Sequence, residues 1–183
     1  MSEIIERYER ITGQFTERVR AVPSDAWENP SPCEGWTARD IVRHLTEWIP
    51  GFFGAQGVDF PDVPLVDVDP VAAWETVQTT IARALADPTL AAKPVETPFS
   101  TQSLAETVDI IVTGDVFTHC WDLARATRQD ETLDPDQLER MVAAIGAMPD
   151  EALRADGMFG PPIAVADDAD DQTRFLAYLG RRA

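Results

Sequence analysis

The sequence is short of basic residues, above all of lysine. Its 183 residues include 32 Asp and Glu against 15 Lys and Arg, and Lys93 is the only lysine, so the formal net charge is −17. Because binding to phosphates requires clustered Lys and Arg side chains, this balance argues against a nucleic-acid partner. It argues equally against attachment to an anionic membrane surface. A preference for arginine over lysine is typical of genomes rich in G and C.

Long apolar runs are also missing. No uninterrupted apolar segment approaches the length of a membrane span, and the charged start MSEIIERYER does not resemble a signal peptide. We therefore expect a cytoplasmic protein that has no membrane partner. With 44% hydrophobic residues the chain can bury a substantial core, and its length favours a single domain over residues 1–183.

Cysteine is scarce as well. Cys33 and Cys120 are the two cysteines, and they show neither CxxC spacing nor a nearby cluster of ligand residues. This pattern excludes a disulfide framework and does not indicate a thiolate zinc site. We expect two free thiols, with Cys120 buried.

Helical periodicity dominates what the sequence does contain. Apolar residues recur every three to four positions in four long segments, and no strand-like alternation of any length is present. We predict an all-α fold, an antiparallel four-helix bundle over about residues 3–127, with short C-terminal helices and a tail over residues 134–183.

Local signals mark where two of these helices begin. Thr37 with Asp40 has the spacing of a capping box before the second helix, and Ser103 with Glu106 has it before the fourth. In such a box the first side chain accepts from a backbone N–H of the first turn, and the second returns a bond to the cap. Both helices are therefore predicted to start at these residues.

The fourth predicted helix carries polar groups that an interior helix would normally exclude. It is apolar nearly all round, which is typical of a buried helix. Yet Asp115, His119 and Asp122 stand at positions i, i+4 and i+7 and share one narrow face. A buried carboxylate needs a partner or a metal ion, because an isolated buried charge is costly. Aspartate and histidine one turn apart can both reach an ion beside the helix.

The only other histidine, His44, lies in the apolar stripe of the second predicted helix. If the second and fourth helices face each other, His44, Asp115 and His119 form a divalent-metal site with coordination positions open to water or substrate. Zinc, Fe(II) and Ni(II) all accept such ligands. Asp122 would then support a ligand or link two helices. On spacing alone, a buried Asp115–His119 ion pair without a metal explains the same pattern.

Two segments of the sequence resemble one family. PCEGWTARDIVRHLTEW is similar to the second-helix motif of the DinB-like, mycothiol-dependent maleylpyruvate isomerase metal-binding domain, and GDVFTHCWDLARATRQDETLDPD is similar to its fourth-helix motif. The closing segment FGPPIAVADDADDQTRFLAYLGRR resembles the tail of a short actinobacterial branch of this group. The resemblance spans nearly the whole chain.

This resemblance implies a four-helix bundle with a divalent metal, usually zinc. His44 and His119 match the histidine ligands of the family, and Asp115 stands where the family has a Glu, which is one methylene longer. Other members resemble transferases and isomerases that use a low-molecular-weight thiol. The resemblance therefore implies mycothiol as the thiol cofactor and a small organic electrophile as the substrate. Members also often form homodimers.

Three functions remain open at this stage. The first is a metal-dependent thiol transferase or isomerase, although the isomerase itself has a further sterol-carrier-like domain for which 183 residues leave no room. The second is a non-catalytic metal- or small-ligand-binding protein, for instance in stress response. The third is a structural bundle in which Asp115 and His119 form a buried pair. The sequence identifies no catalytic or thiol-binding residue.

Overall fold

Helices account for most of the structure, a computed structural model that describes residues 2–97, 100–148, 153–154 and 159–183. In chain order the helices are α1 (Ser2–Arg20), α2 (Ala38–Ala55), α3 (Pro70–Ala86), α4 (Pro88–Ala91), α5 (Leu104–Thr107), α6 (Thr113–Thr127), α7 (Pro135–Gly146) and α8 (Asp171–Tyr178). A π-helical turn over Val108–Val112 joins α5 to α6. In the described ranges, no helix combines the length and apolar character that a membrane span requires.

The chain divides into two compact units, Met1–Glu131 and Thr132–Ala183. The first unit holds α1 to α6, and the second holds α7 and α8, which contact each other. The assignment of residues 1–183 to a single domain stays a prediction.

In the first unit the four long helices pack as a ring. Helix α1 contacts α3 and α6, and α2 contacts the same two helices. The largest side chains with no exposed surface come from all four helices: Tyr8, Phe15, Ile41, Leu45, Trp74, Ile81, Phe117 and Trp121. Because burying one such apolar side chain is worth about 1.5–3 kcal/mol, this core holds the bundle together. The predicted all-α bundle is confirmed.

Helices α1 and α3 are antiparallel. The Tyr8 hydroxyl donates to the Gln78 carbonyl at 2.9 Å, and the Trp74 indole donates to the Thr16 hydroxyl at 2.8 Å. The later residue of α1 therefore lies beside the earlier residue of α3. These bonds also satisfy two polar groups that would otherwise be costly inside an apolar core.

Helix α6 runs parallel to α1 and antiparallel to α2. Arg7 pairs with Asp109 at 2.7 Å at one end of α1, and Gln129, just beyond α6, donates to the Arg18 carbonyl at 2.9 Å at the other end. Asn29, which precedes α2, donates to a carbonyl near the end of α6 at 3.0 Å. The four helices therefore run up, down, down and up, and the segment 56–69 returns the chain along the bundle.

Both predicted capping boxes are present. The Asp40 carboxylate accepts from the Thr37 backbone N–H at 2.8 Å, and the Thr37 hydroxyl accepts in return from the Asp40 N–H at 3.3 Å. Ser103 and Glu106 form the same pair of bonds before α5. These caps satisfy N–H groups that the first turn of a helix leaves without partners, and they fix where each helix begins.

Two short elements were not predicted. Strands β1 (Pro94–Glu96) and β2 (Thr101–Ser103) form an antiparallel pair. With three residues each, they are too short to show the alternation that indicates a strand, although Val95 is buried and its neighbours are exposed. The expectation of no strand was therefore wrong at this hairpin.

Candidate metal centre

Helices α2 and α6 bring the predicted residues together. His44 lies two turns into α2, between the fully buried Ile41 and Leu45, and Asp115 and His119 lie one turn apart on α6. Because the two helices are antiparallel neighbours, His44 meets this pair across the interface. The ligand atoms of His44, Asp115 and His119 all lie within 4.8 Å of one another.

The Asp115 carboxylate is the meeting point of the cluster. Its Oδ2 lies 3.1 Å from His44 Nε2, and its Oδ1 lies 3.3 Å from His119 Nε2. Zinc binds such groups at about 2.0–2.2 Å, so nitrogen and oxygen atoms that share an ion lie roughly 3.0–3.6 Å apart. The observed spacing fits that requirement. The shorter side chain of aspartate, relative to glutamate, still brings the carboxylate to both imidazoles.

The second ring nitrogen of His119 is held by another carboxylate. His119 Nδ1 lies 2.9 Å from Asp122 Oδ2, and Asp122 is fully buried. A carboxylate on one imidazole nitrogen fixes the ring and its tautomer, and it leaves the other nitrogen free to bind a metal. Cys33 donates its thiol to the same Asp122 oxygen at 3.5 Å.

Asp115 and His119 shift each other's pKa in opposite directions. Burial would raise the pKa of Asp115, but the charge of His119 and the hydrogen bonds from both imidazoles outweigh burial and hold that pKa below its ordinary range. Burial would lower the pKa of His119, but the charge and hydrogen bond of Asp115, helped by Asp122 and Cys33, raise that pKa well above its ordinary value. Each of the two side chains therefore favours the charged form of the other.

One side of the cluster faces solvent. The His44 and Asp115 side chains keep 32% and 28% of their surface exposed, whereas the His119 side chain keeps 6%. The ring of Trp36 lies 5.0 Å from the His44 ring and 6.0 Å from the His119 ring, measured between centroids. Trp36 therefore lies beside the solvent-exposed side of the cluster, and His119 lies deeper than His44 and Asp115.

Three residues of this cluster were not identified from the sequence: Cys33, Trp36 and Trp48. Trp48 donates its indole N–H to Asp115 Oδ2 at 2.9 Å. It stands four positions after His44, so helical spacing could have placed it on the same face. No comparable signal exists for Cys33, because it enters the cluster through a loop that folds back at the Pro30–Thr37 bridge.

A π-helical turn comes immediately before the ligand segment of α6. It spans Val108–Val112, and the Thr113 hydroxyl donates to the Val108 carbonyl at 3.3 Å. Such turns are rare and frequently lie at functional sites, where they change the direction in which the following residues point. Here the turn ends three residues before Asp115, so it affects the direction in which the Asp115 side chain leaves the helix.

Two surface depressions lie elsewhere on the bundle. One of about 320 Å³ follows the exposed face of α3, from Ala72 to Arg83. Another, of about 220 Å³, lies between α2 and residues 63–67, which belong to the segment 56–69 that connects α2 to α3. Neither is lined by His44, Asp115 or His119.

The chain is similar to known proteins along most of its length. Residues 8–124, which include all the residues of the cluster, match the family described as the mycothiol maleylpyruvate isomerase N-terminal domain. Two proteins of Mycobacterium tuberculosis are each 26% identical over 178 residues, covering 95% of both chains. They are the uncharacterized protein MT0763 of strain CDC 1551 / Oshkosh and the uncharacterized protein Rv0738 of strain ATCC 25618 / H37Rv.

No solved structure matches the chain. The family match covers more than half of the sequence and includes all of α2 and the part of α6 that carries the cluster residues. The chain therefore belongs to the family of the mycothiol maleylpyruvate isomerase N-terminal domain.

Proposed function

We propose that His44, Asp115 and His119 bind one divalent metal ion and that the protein uses it in thiol-dependent transfer or isomerisation of a small organic electrophile. Zinc suits two imidazoles and a carboxylate best, and Ni(II) and Fe(II) accept the same ligands. The family points to mycothiol as the thiol.

One observation carries this proposal. Two imidazole Nε2 atoms, from different helices, converge on the two oxygens of one carboxylate at 3.1 and 3.3 Å. A buried ion pair needs only one histidine beside Asp115, so the second imidazole supports a metal site over a structural pair. Asp122 adds support, because it leaves His119 Nε2 as the nitrogen directed at the cluster.

The side chains of the site would have different chemical roles. His44, Asp115 and His119 would hold the divalent ion, which would lower the pKa of a bound thiol and so make thiolate available at neutral pH. Asp115 contributes one negative charge, which offsets part of the charge of the ion. Asp122 keeps the His119 ring in place, and the exposed parts of His44 and Asp115 leave room for a thiol and an electrophile to approach from solvent.

Non-catalytic binding of a metal or small ligand is the alternative, and Trp36 favours it. Its ring centroid lies 5.0 Å from that of His44 and 6.0 Å from that of His119, so part of the space beside both imidazoles is already filled. Substrate sites usually bury most of a small ligand and need space for it. A site partly filled by Trp36 would suit storage or sensing in a stress response better than turnover.

Thiol-dependent turnover separates these two functions. Zinc-loaded protein is mixed with mycothiol and a chlorinated nitroaromatic electrophile, and thioether formation is followed by absorbance. We expect turnover that requires both thiol and metal and that is lost in His44→Gln. The control is Glu47→Gln, which removes an exposed charge one turn away on the same helix and should leave turnover unchanged. Metal binding without turnover would favour the non-catalytic alternative.

A further inference from the structure

Trp48 makes a contact with Asp115 that the proposed metal site does not by itself explain. Its indole Nε1 lies 2.9 Å from Asp115 Oδ2, the same oxygen that lies 3.1 Å from His44 Nε2. The other oxygen, Oδ1, faces His119. The two oxygens of this carboxylate therefore have different surroundings.

Metal binding at the site would not require Trp48 to give up this hydrogen bond. An imidazole nitrogen can release its proton and bind a metal, whereas the indole N–H is only a donor and is not a metal ligand. If His44 directed its lone pair to an ion, its hydrogen bond to Oδ2 would end, whereas the Trp48 bond could remain. A carboxylate oxygen has two lone pairs, so the Trp48 bond fixes the orientation of the carboxylate and still leaves it able to bind an ion.

Trp48 is itself held firmly. Its ring packs against Phe53, with centroids 6.4 Å apart, and Phe53 has no exposed surface. The Trp48 ring also lies beside His44, with ring centroids 6.2 Å apart. Trp48 therefore contacts both a fully buried side chain and the cluster.

Asp115 needs such an anchor because its carboxylate rotates easily. The last torsion of aspartate is broad and roughly two-fold, so the side chain alone does not choose which oxygen faces the ion. We infer that Trp48 is a positioning residue that holds the Asp115 carboxylate in the orientation in which it binds the metal. This inference rests on the proposed metal site and adds a residue to it that touches neither the metal nor the substrate.

Metal affinity of Trp48→Phe tests the inference. Zinc affinity is measured by competition with a chromogenic chelator, without thiol or electrophile, and cobalt absorption reports the coordination. Removal of a partner that orients a ligand typically weakens metal binding about 10–100-fold, and we expect a loss in this range with a changed cobalt spectrum. Phenylalanine keeps the ring that packs on Phe53, so the fold should be retained, which circular dichroism checks.

Trp74→Phe is the matched control. Its indole also donates a hydrogen bond, to the Thr16 hydroxyl at 2.8 Å, but it joins α3 to α1, which carry none of the cluster residues, so we expect zinc affinity to stay unchanged. Equal losses in the two variants, or an unchanged Trp48→Phe, would overturn the inference.

Asp115→Glu provides a second readout. The longer side chain places its carboxylate differently, so Trp48→Phe should cost less affinity in the Asp115→Glu background than in the natural protein. Equal costs in both backgrounds would contradict a specific link between Trp48 and the aspartate. Protein that binds zinc but shows no turnover would refute the enzymatic function and leave the Trp48 inference standing. Absence of zinc binding by the natural protein would overturn both.

Discussion

Asp115 and Asp122 both contact the imidazole of His119, but they do so at opposite ring nitrogens and at different depths. Asp122 has no exposed surface and lies 2.9 Å from Nδ1. The Asp115 side chain is 28% exposed, lies 3.3 Å from Nε2 and also touches His44. The same residue type on the same helix face therefore has two different surroundings.

The difference shows how depth separates two roles. A fully buried carboxylate has only protein groups to balance its charge, so Asp122 is fixed to the His119 ring and the Cys33 thiol. Asp115 lies at the boundary, where an ion, a thiol or water can also reach it. In the proposed site Asp122 orients a ligand and Asp115 is one.

Replacement of Asp115 should have the largest effect. Asp115→Asn removes the negative charge and replaces one ligand oxygen by an amide nitrogen, so zinc affinity should fall by more than about 100-fold, beyond the loss typical of an outer partner. Asp115→Glu keeps the negative charge and both carboxylate oxygens and should retain binding. Both are measured by chelator competition. Equal affinity of Asp115→Asn and the natural protein would remove Asp115 from the site.

Replacement of Asp122 should have a smaller effect on the metal. In Asp122→Asn the His119 ring loses a charged partner but keeps its ligand nitrogen, so zinc affinity should fall about 10–100-fold. Asp109→Asn is the control, because Asp109 pairs with Arg7 at 2.7 Å and belongs to the same continuous helix. If both variants lose affinity equally, a general loss of packing explains the result and Asp122 has no orienting role.

The pH dependence of stability should give the smallest effect. Because the pKa of His119 is raised, its protonated form stabilises the metal-free fold below the unfolded value of about 6.5, and this contribution is lost as pH rises through the raised pKa. Asp115, whose pKa is lowered, contributes above its unfolded value of about 3.9 and loses that contribution as pH falls through its folded pKa.

Zinc should oppose the loss of stability that the metal-free protein shows as pH rises, because zinc binding would displace the proton from His119 Nε2. Thermal unfolding measured from about pH 6 to about pH 9 should show a zinc-dependent rise in Tm that grows with pH, on the order of 5–10 °C when zinc exceeds its dissociation constant 100-fold. His119→Gln should show neither trend. A zinc effect that shrinks as pH rises would contradict the proton displacement.

Much of the fold could be predicted because it rests on local signals. The capping boxes at Thr37 and Ser103 and the apolar stripes fix where α2 and α5 begin and which faces are buried. The facing of His44 with His119 followed from a weaker argument, that two polar side chains in apolar stripes need a shared partner. The structure places them with ring centroids 5.1 Å apart.

The remaining features depend on contacts that are distant in sequence. Cys33 reaches Asp122 across 89 positions, and the Trp48 bond to Asp115 spans 67. A tryptophan in an apolar stripe is normally predicted to be a core residue. Nothing in the sequence of the stripe shows that its N–H has a partner on another helix. The π-helical turn at Val108–Val112 has no composition that separates it from an α-helix.

Zinc titration of the metal-stripped natural protein by calorimetry tests the central claim most directly. The account predicts one ion per chain, with protons released on binding and with the heat signal lost in His44→Ala and in Asp115→Asn. No binding, or binding that is the same in those variants, would contradict the assignment of His44, Asp115 and His119 as one metal site.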